Sequence, residues 1–462
     1  MSKPMLESDV KMIRENERKY ILHPWTAQKS LKPFIIAAAK GCYIWDEQGE
    51  KYLDFSSQFT NVNAGHQHPK IIQAIKDQLD RVCCVVPSAA TDQRGKLARI
   101  LAELPPRELC RTFFTTGGTE ANETALKMAR AVTGRRKIIS RFRSFHGATY
   151  GSSSVSGDPR HIAGEPGVPG SVRVWDPFCY RCFFKMKYSE CDLYCAEAIR
   201  EVIEVEGPET FAGIIVEPVT GSNCRIVPPD GYMQRLRKIC DDYGVLLIFD
   251  EIMTGFGRTG EWFATCHWDL VPDIMTLSKG INSGYLPLGA VVTTKKVAAY
   301  FEDNILYSGL TQFGNPVCCA SGIAAIEVYK EEKLVENARE LGVHLMGRLQ
   351  EIKEKHPSVG DVRGMGLQMA IELVKDKETR EPIVPWTVTY YEKKHPITGM
   401  LLGKLKDLGV FTYMRWNVLM ICPPLCITKN ELDWGLDQID DALSLVDDYI
   451  GISRSRGESS SP

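Results

Sequence analysis

No stretch of these 462 residues is apolar over the roughly 20 positions that a membrane-spanning helix needs. Charge of one sign is also missing. The 56 Lys and Arg nearly balance the 58 Asp and Glu, for a net charge of −2, so there is no broad electrostatic case for nucleic acid or an anionic membrane. The opening twenty residues are charged and helix-like. They lack the apolar core of a signal peptide, and a cytoplasmic protein is expected. Two phosphate-binding signatures are absent as well: there is no GxGxxG turn, and no Walker loop with its terminal Lys-Ser/Thr. Cysteine is not scarce. In a cytoplasmic setting the fifteen cysteines are expected as reduced thiols, many of them buried as small apolar residues.

What remains is an ordinary globular composition, 44% hydrophobic and 25% charged, on a chain long enough for one large domain with smaller lobes. Pro24 ends a polar helical opening and leaves Trp25 on irregular chain, either as a packing anchor or as the wall of a pocket. Residues 35–52 read as a β-meander, with turns at 40–41 and 46–49. His66 and His68 have no acid or cysteine at ligand spacing beside them, which favours a loop-structural role over a metal site.

From about residue 70 strands and helices alternate, with strands expected near 111–114, 137–140, 172–175, 212–216 and 288–293. Such alternation predicts a mostly parallel sheet covered on both faces. ThrThrGlyGlyThrGlu at 115–120 is a tight turn opening a helix at 121–130, with Thr119 placed as its N-cap. A Gly-rich turn at a helix start offers free N–H groups and the positive end of the helix dipole, which suit one terminal phosphate. After residue 316 long helices take over. Leu334, Ala338, Leu341, Leu345, Leu349 and Ile352 recur at three- and four-residue steps, as core packing does. Strands are then expected near 366–374 and 418–422 and a closing helix near 429–449, followed by a tail at 451–462 too polar to order itself.

The stretch 244–289 organises the rest. One apolar run, Val245 to Phe249, ends in Asp250. A second, Ile274 to Leu277, is followed at once by Ser278 and Lys279. In open α/β sheets ligands bind beyond the carboxyl ends of the strands, so an acid and a lysine can face one site there. That pair suits pyridoxal phosphate (PLP), in which a lysine takes the aldehyde and a carboxylate meets the ring nitrogen. The bland reading of these two residues alone is a salt bridge, or side chains that simply meet water.

Several motifs then recur in one order: AsnValAsnAlaGlyHisGlnHisPro at 61–69, ThrGlyGlyThrGluAlaAsnGlu at 116–123, PheHisGly at 145–147 and ValGluProVal at 216–219. They continue with PheAspGluIleMetThrGlyPheGlyArgThrGly at 249–260, LeuSerLysGly at 277–280, ThrGlnPheGlyAsnPro at 311–316, ArgGlyMetGly at 363–366 and ProProLeu at 423–425. Together these resemble the class III (ω-amino acid) aminotransferases of PLP fold type I, over nearly the whole chain, and within them the taurine aminotransferase branch.

The resemblance implies an α/β fold in three parts. A large PLP-binding domain with a mostly parallel central sheet spans 66–325, with a Cys-rich insertion at about 176–196. A smaller α+β domain is built from 1–65 and 326–450. It also implies roles. Lys279 would hold the cofactor as a Schiff base and move the proton. Asp250 would pair with the ring nitrogen, Gly118 and Thr119 would hold the phosphate, and Phe145 and Ile252 would flank the ring. His146 joins the cofactor-binding set, and Glu217 would gate the pocket or pair with an arginine. Thr311 resembles a threonine that the neighbouring subunit supplies, which implies a homodimer with shared active sites.

The expected activity is transfer of an amino group from a terminal amine to a 2-oxo acid, 2-oxoglutarate or pyruvate. Taurine leads as donor, with β-alanine and 4-aminobutyrate beside it, and decarboxylation, epimerisation or aminomutation is the alternative on the same fold. Trp25, Arg160 and Arg415 are the candidate substrate-binding residues. Arg415 resembles the C-terminal arginine that takes an α-carboxylate. Arg160 could meet a distal anion or lie on the surface. Cys179, Cys182, Cys191 and Cys195 form C-x2-C-x8-C-x3-C, a spacing open either to a structural zinc or iron–sulfur site or to a loop of free thiols.

Overall fold

The computed structural model describes residues 4–387 and 395–455. Among the described residues there are fifteen strands in chain order: β1 Ile36–Lys40, β2 Tyr43–Asp46, β3 Lys51–Asp54, β4 Leu109–Thr115, β5 Lys137–Arg141, β6 Ser171–Val174, β7 Phe211–Val216, β8 Leu246–Asp250, β9 Ile274–Leu277, β10 Gly289–Thr294, β11 Val359–Met365, β12 Gln368–Leu373, β13 Val410–Phe411, β14 Met414–Arg415 and β15 Val418–Ile421. Seven of them form the central sheet, in the order β4-β10-β9-β8-β7-β5-β6. The pairs β6/β5, β5/β7, β7/β8 and β8/β9 are parallel. Only β10 runs against its two neighbours, so β4 again points with the majority.

The chemistry of these strands explains their place. Phe211–Val216 and Leu246–Asp250 are buried along their whole length, as strands covered on both faces must be. Helices Gly118–Thr133 and Tyr232–Tyr243 cover them, burying Ala121, Ala125, Leu126 and Ala129 from one helix and Met233, Leu236 and Ile239 from the other. The direction of the strands then decides the site. β4, β5, β7, β8 and β9 all deliver their carboxyl ends to one edge, so Thr116, Phe145, Glu217, Asp250 and Lys279 follow strands that end on the same side.

Two four-stranded sheets lie outside the centre, β1-β2-β3-β13 and β11-β12-β15-β14. The first joins distant parts of the chain, because β3 pairs in parallel with β13 at Leu53–Val410. The leucine stripe of the sequence is the buried face of helix Leu334–Lys355.

Two expectations need correction. Helix Gly118–Thr133 begins before Thr119, so Gly117 is its N-cap and Thr119 lies inside the first turn. The closing helix runs Lys429–Ser455 and takes in part of the segment expected to be disordered. Leu443, Val446 and Ile450 anchor it in the core, and adding residues to a formed helix costs little. Residues 456–462 lie outside the described residues.

Candidate active site

Asp250 closes β8 and is buried. Its Oδ2 accepts from Asn122 Nδ2 and lies against His146 Nδ1, both at 2.8 Å, while Oδ1 accepts from the Ile252 N–H at 3.1 Å. Asn122 is itself fixed. Its Oδ1 accepts from Thr276 Oγ1 at 2.7 Å, and its Nδ2 also donates to the His146 carbonyl. His146 is held from behind by its N–H, which donates to Ser156 Oγ at 2.8 Å. A buried carboxylate needs such company, because leaving its lone pairs unmet in the interior is expensive. His146 Nε2 is buried and finds no partner among the described residues.

Lys279 follows β9 in a left-handed backbone conformation, φ +45°, which a non-glycine residue rarely adopts. Strain of this kind clusters at functional sites. Its Nζ donates to the Phe59 carbonyl at 3.2 Å. The side chain borders a cavity of about 340 Å³, lined also by Asn61, Thr116, Ser278 and Tyr285. Burial, and then the neighbouring Arg225, push its amine down to about 8, against the pull of Asp250 and Glu217.

Glu217 follows β7. Its carboxylate accepts from the N–H of Phe145 at 3.0 Å and of Gly221 at 2.6 Å, and burial pushes it above the usual carboxylate range. At the start of helix Gly118–Thr133 the N–H groups of Gly118 and Thr119 have no acceptor among the described residues. Ile252 packs close over this helix end. A Cβ added at Gly118 would lie 2.6 Å from Ile252 Cδ1.

A second cluster stands beside the first. The Arg160 guanidinium lies 3.4 Å from the Phe145 ring centroid and 5.3 Å from that of Trp25, and the two rings meet edge to face at 6.0 Å. Arg160 also grips Asp158, with its Nε 2.9 Å from Oδ2, and donates to Ser222. Arg415 reaches the same Asp158 oxygen at 2.8 Å. Burial works to raise the Asp158 carboxyl, but Arg160 and Arg415 outweigh it and hold the group below its usual range. The structure thus brings Arg160 and Arg415 together. Arg160 is not the surface residue that remained an option for it, since its side chain is only 10% exposed.

Thr311 is exposed, on a loop. His66 pairs with Asp54 and His68 with Glu332, which gives both histidines structural partners. Cys179, Cys182, Cys191 and Cys195 do line one small cavity with Phe178 and Phe184. Among the described residues no three His, Cys, Asp or Glu side chains are placed to hold an ion, and all four cysteines are free. Burial first, then the other thiols, push the Cys195 thiol up to about 12.

Sequence reasoning missed Asn122, Asp158 and Arg225 as parts of the site. Asn122 stands in the quoted 116–123 motif, so its position was in view. Nothing local marks Asp158 as the hub of two arginines.

A carboxylate at one strand end, a lysine with a depressed amine at the next and unpaired N–H groups at a helix start make a site that fits PLP. Ring nitrogen, aldehyde and phosphate each find a suitable group. The fold is PLP fold type I. The comparisons with known proteins agree. The family model "Aminotransferase class-III" matches residues 26–443, and the chain belongs to that family of PLP-dependent aminotransferases. It is 34% identical to the taurine–pyruvate aminotransferase of Bilophila wadsworthia, over 94% of this chain and 98% of that one. It is 36% identical to a leucine/methionine racemase of Thermococcus litoralis, over 94% and 95%. The crystal structure of taurine:2-oxoglutarate aminotransferase from Bifidobacterium kashiwanohense, in complex with PLP and glutamate, superposes with a TM-score of 0.91 at 38% identity, covering 97% of this chain and all of that one. Among the described residues no helix is long and apolar enough to cross a membrane.

Proposed function

We propose that this aminotransferase moves the amino group of a terminal amine or ω-amino acid to 2-oxoglutarate or pyruvate by a ping-pong route through Lys279. Taurine is the first candidate donor, with β-alanine and 4-aminobutyrate next. The observation that carries this reading is the Arg160–Asp158–Arg415 cluster, flanked by Trp25 and Phe145. Arg160 and Arg415 both engage Asp158, and Arg160 also acts on Lys279. An enzyme that must accept two anionic partners in turn needs such a clamp. Taurine is favoured because two of the similar proteins carry it in their names.

PLP supplies an aldehyde for the amine and a ring that receives the electron pair left when a proton departs from the substrate carbon. The protein does the rest. Lys279 holds the cofactor and, as a neutral amine, takes and returns that proton; burial favours the neutral form. Asp250, held in place by Asn122 and His146, would meet the ring nitrogen. Gly118 and Thr119 would present N–H groups to the phosphate, and Phe145 and Ile252 would exclude water from the ring faces. Glu217 braces the Phe145 backbone. Thr311 is proposed to serve the partner's phosphate in a homodimer.

The domain limits at 1–65, 66–325 and 326–450 remain proposals of the same kind. A panel of ω-amines crossed with pyruvate and 2-oxoglutarate tests the function. Stoichiometric loss of oxo acid with taurine supports it. A second reading comes from the racemase relative. Loss of amino-acid chirality without consumption of oxo acid would establish that reading and remove the first.

A further inference from the structure

Arg225 is fully buried. Every hydrogen bond it makes goes to a neutral group: Nη1 to the Gly221 carbonyl at 2.6 Å, and Nη2 to Thr60 Oγ1 at 3.0 Å, Tyr413 OH at 3.2 Å and Cys422 Sγ at 2.7 Å. Its Nε has no partner, and no carboxylate among the described residues lies at ion-pair distance from it. A guanidinium cannot shed its proton as a lysine can, so this is a permanent charge in the interior without a counter-ion. Such a charge is costly and calls for a reason. The backbone adds to the cost, because Cys224 and Arg225 are both left-handed, at φ +80° and +56°.

What Arg225 holds is the turn next to Lys279. Ser57, Gln58, Phe59 and Thr60 are four consecutive non-glycine residues at positive φ, a left-handed turn that L-residues disfavour at every step. The turn is pinned at both ends by buried arginines. Arg258 Nη2 reaches Ser57 Oγ at 3.4 Å, and Arg225 holds Thr60. Between them the Phe59 carbonyl accepts from Lys279 Nζ. The guanidinium therefore sits one residue along the chain from the lysine's acceptor.

We propose that Arg225 is a positioning residue for Lys279. Its guanidinium holds the turn Ser57–Thr60 so that the Phe59 carbonyl meets the lysine, and its fixed positive charge disfavours a second one there. The other charged groups that act on Lys279 are Arg160, which works in the same direction, and Asp250 and Glu217, which oppose it. His146 lies behind Asp250. Burial opposes the charge of Arg225, which a guanidinium nonetheless keeps.

This inference rests on Lys279 as the cofactor lysine, and the test separates the two. Wild type, Arg225→Met and Arg225→Lys are purified with PLP and the visible cofactor band is titrated with pH. Arg225→Met should titrate about 1 pH unit or more above wild type, because the lysine nitrogen has lost a neighbouring cation. Arg225→Lys, which keeps a charge but not the four-way grip, should stay closer to wild type. Equal titration of wild type and Arg225→Met overturns the proposal. If Arg225→Met does not fold, Arg225→Lys decides. A shift as large as 1 unit there, with the charge retained, would leave Arg225 as a packing residue and contradict the electrostatic role. Borohydride trapping of PLP on wild-type Lys279 is run alongside. Its failure would sink the cofactor reading, whereas a trapped lysine with an unmoved titration would sink only the role of Arg225.

Discussion

Arg415 and Asp158 stand 257 residues apart in the chain and meet at 2.8 Å. Asp158 also holds Arg160, so one buried carboxylate fixes both arginines of the proposed substrate clamp. Replacing it tests clamp and fold together. Asp158→Asn should raise the KM for the 2-oxo acid more than it lowers kcat, because the arginines lose their anchor while the lysine keeps its place. The fold should lose about 3–5 kcal/mol, the usual cost of stranding buried charge. The carboxyl lies below its usual range in the folded protein, so its contribution is complete above that range and fades as pH falls through the lowered value. The stability gap between wild type and variant should therefore narrow in acid. Unchanged kinetics and a gap independent of pH would remove Asp158 from the clamp.

Lys279 gives the opposite sign. In cofactor-free protein its amine lies near 8, whereas the unfolded chain binds the proton as an ordinary lysine does. Above about pH 8 the unfolded state therefore holds more protons, and folded stability rises with pH toward the ordinary lysine range. Lys279→Met lacks this gain. Below pH 8 the variant should be the more stable of the two, and the advantage should shrink as pH rises. Thermal unfolding of both apo-proteins between pH 7 and 10 measures it, and a constant difference would mean that the amine is not depressed.

Gly118 is glycine for want of space. A methyl group there would meet Ile252 at 2.6 Å, and Ile252 is proposed to flank the ring. Gly118→Ala should weaken PLP retention, with overpacking on the scale of 1–3 kcal/mol. Adding Ile252→Val should restore part of it. Dialysis followed by cofactor absorbance measures the outcome. Equal retention in all three proteins would show that the helix end tolerates bulk.

Asn122 acts through Asp250. Asn122→Ala strips one hydrogen bond from the carboxylate and leaves Thr276 without its acceptor. Loss of one charge-orienting donor at a reacting centre typically costs about 10²–10³ in kcat, and a fall toward that size is expected here with PLP still bound. A variant with wild-type kcat would show that His146 alone suffices.

How much of this was legible in the sequence follows from how local each signal is. Asp250 and Lys279 could be placed because each directly follows a short apolar run, and strand ends in such sheets meet at one edge. The reversed direction of β10 could not, since Leu288–Thr293 has the same composition as a parallel strand. Thr119 directly precedes the run that reads as helical and so looks like an N-cap; the helix instead starts on Gly118, where Ile252 crowds any added side chain. Arg160 and Arg415 were readable as arginines in loops, but their common anchor depends on a contact across 257 residues. Arg225 carries no motif, and its meaning rests on burial without a carboxylate. The four cysteines have ligand-like spacing, yet spacing says nothing of the apolar side chains, Phe178 and Phe184 among them, that line their cavity.

The central claim is that Lys279 carries the cofactor and the proton. Borohydride reduction of the PLP-loaded protein, followed by peptide mass mapping, addresses it most directly. The account requires the cofactor's mass on the peptide containing Lys279, and no turnover of any amine by Lys279→Ala. Cofactor fixed on another lysine, or an active Lys279→Ala, would contradict it.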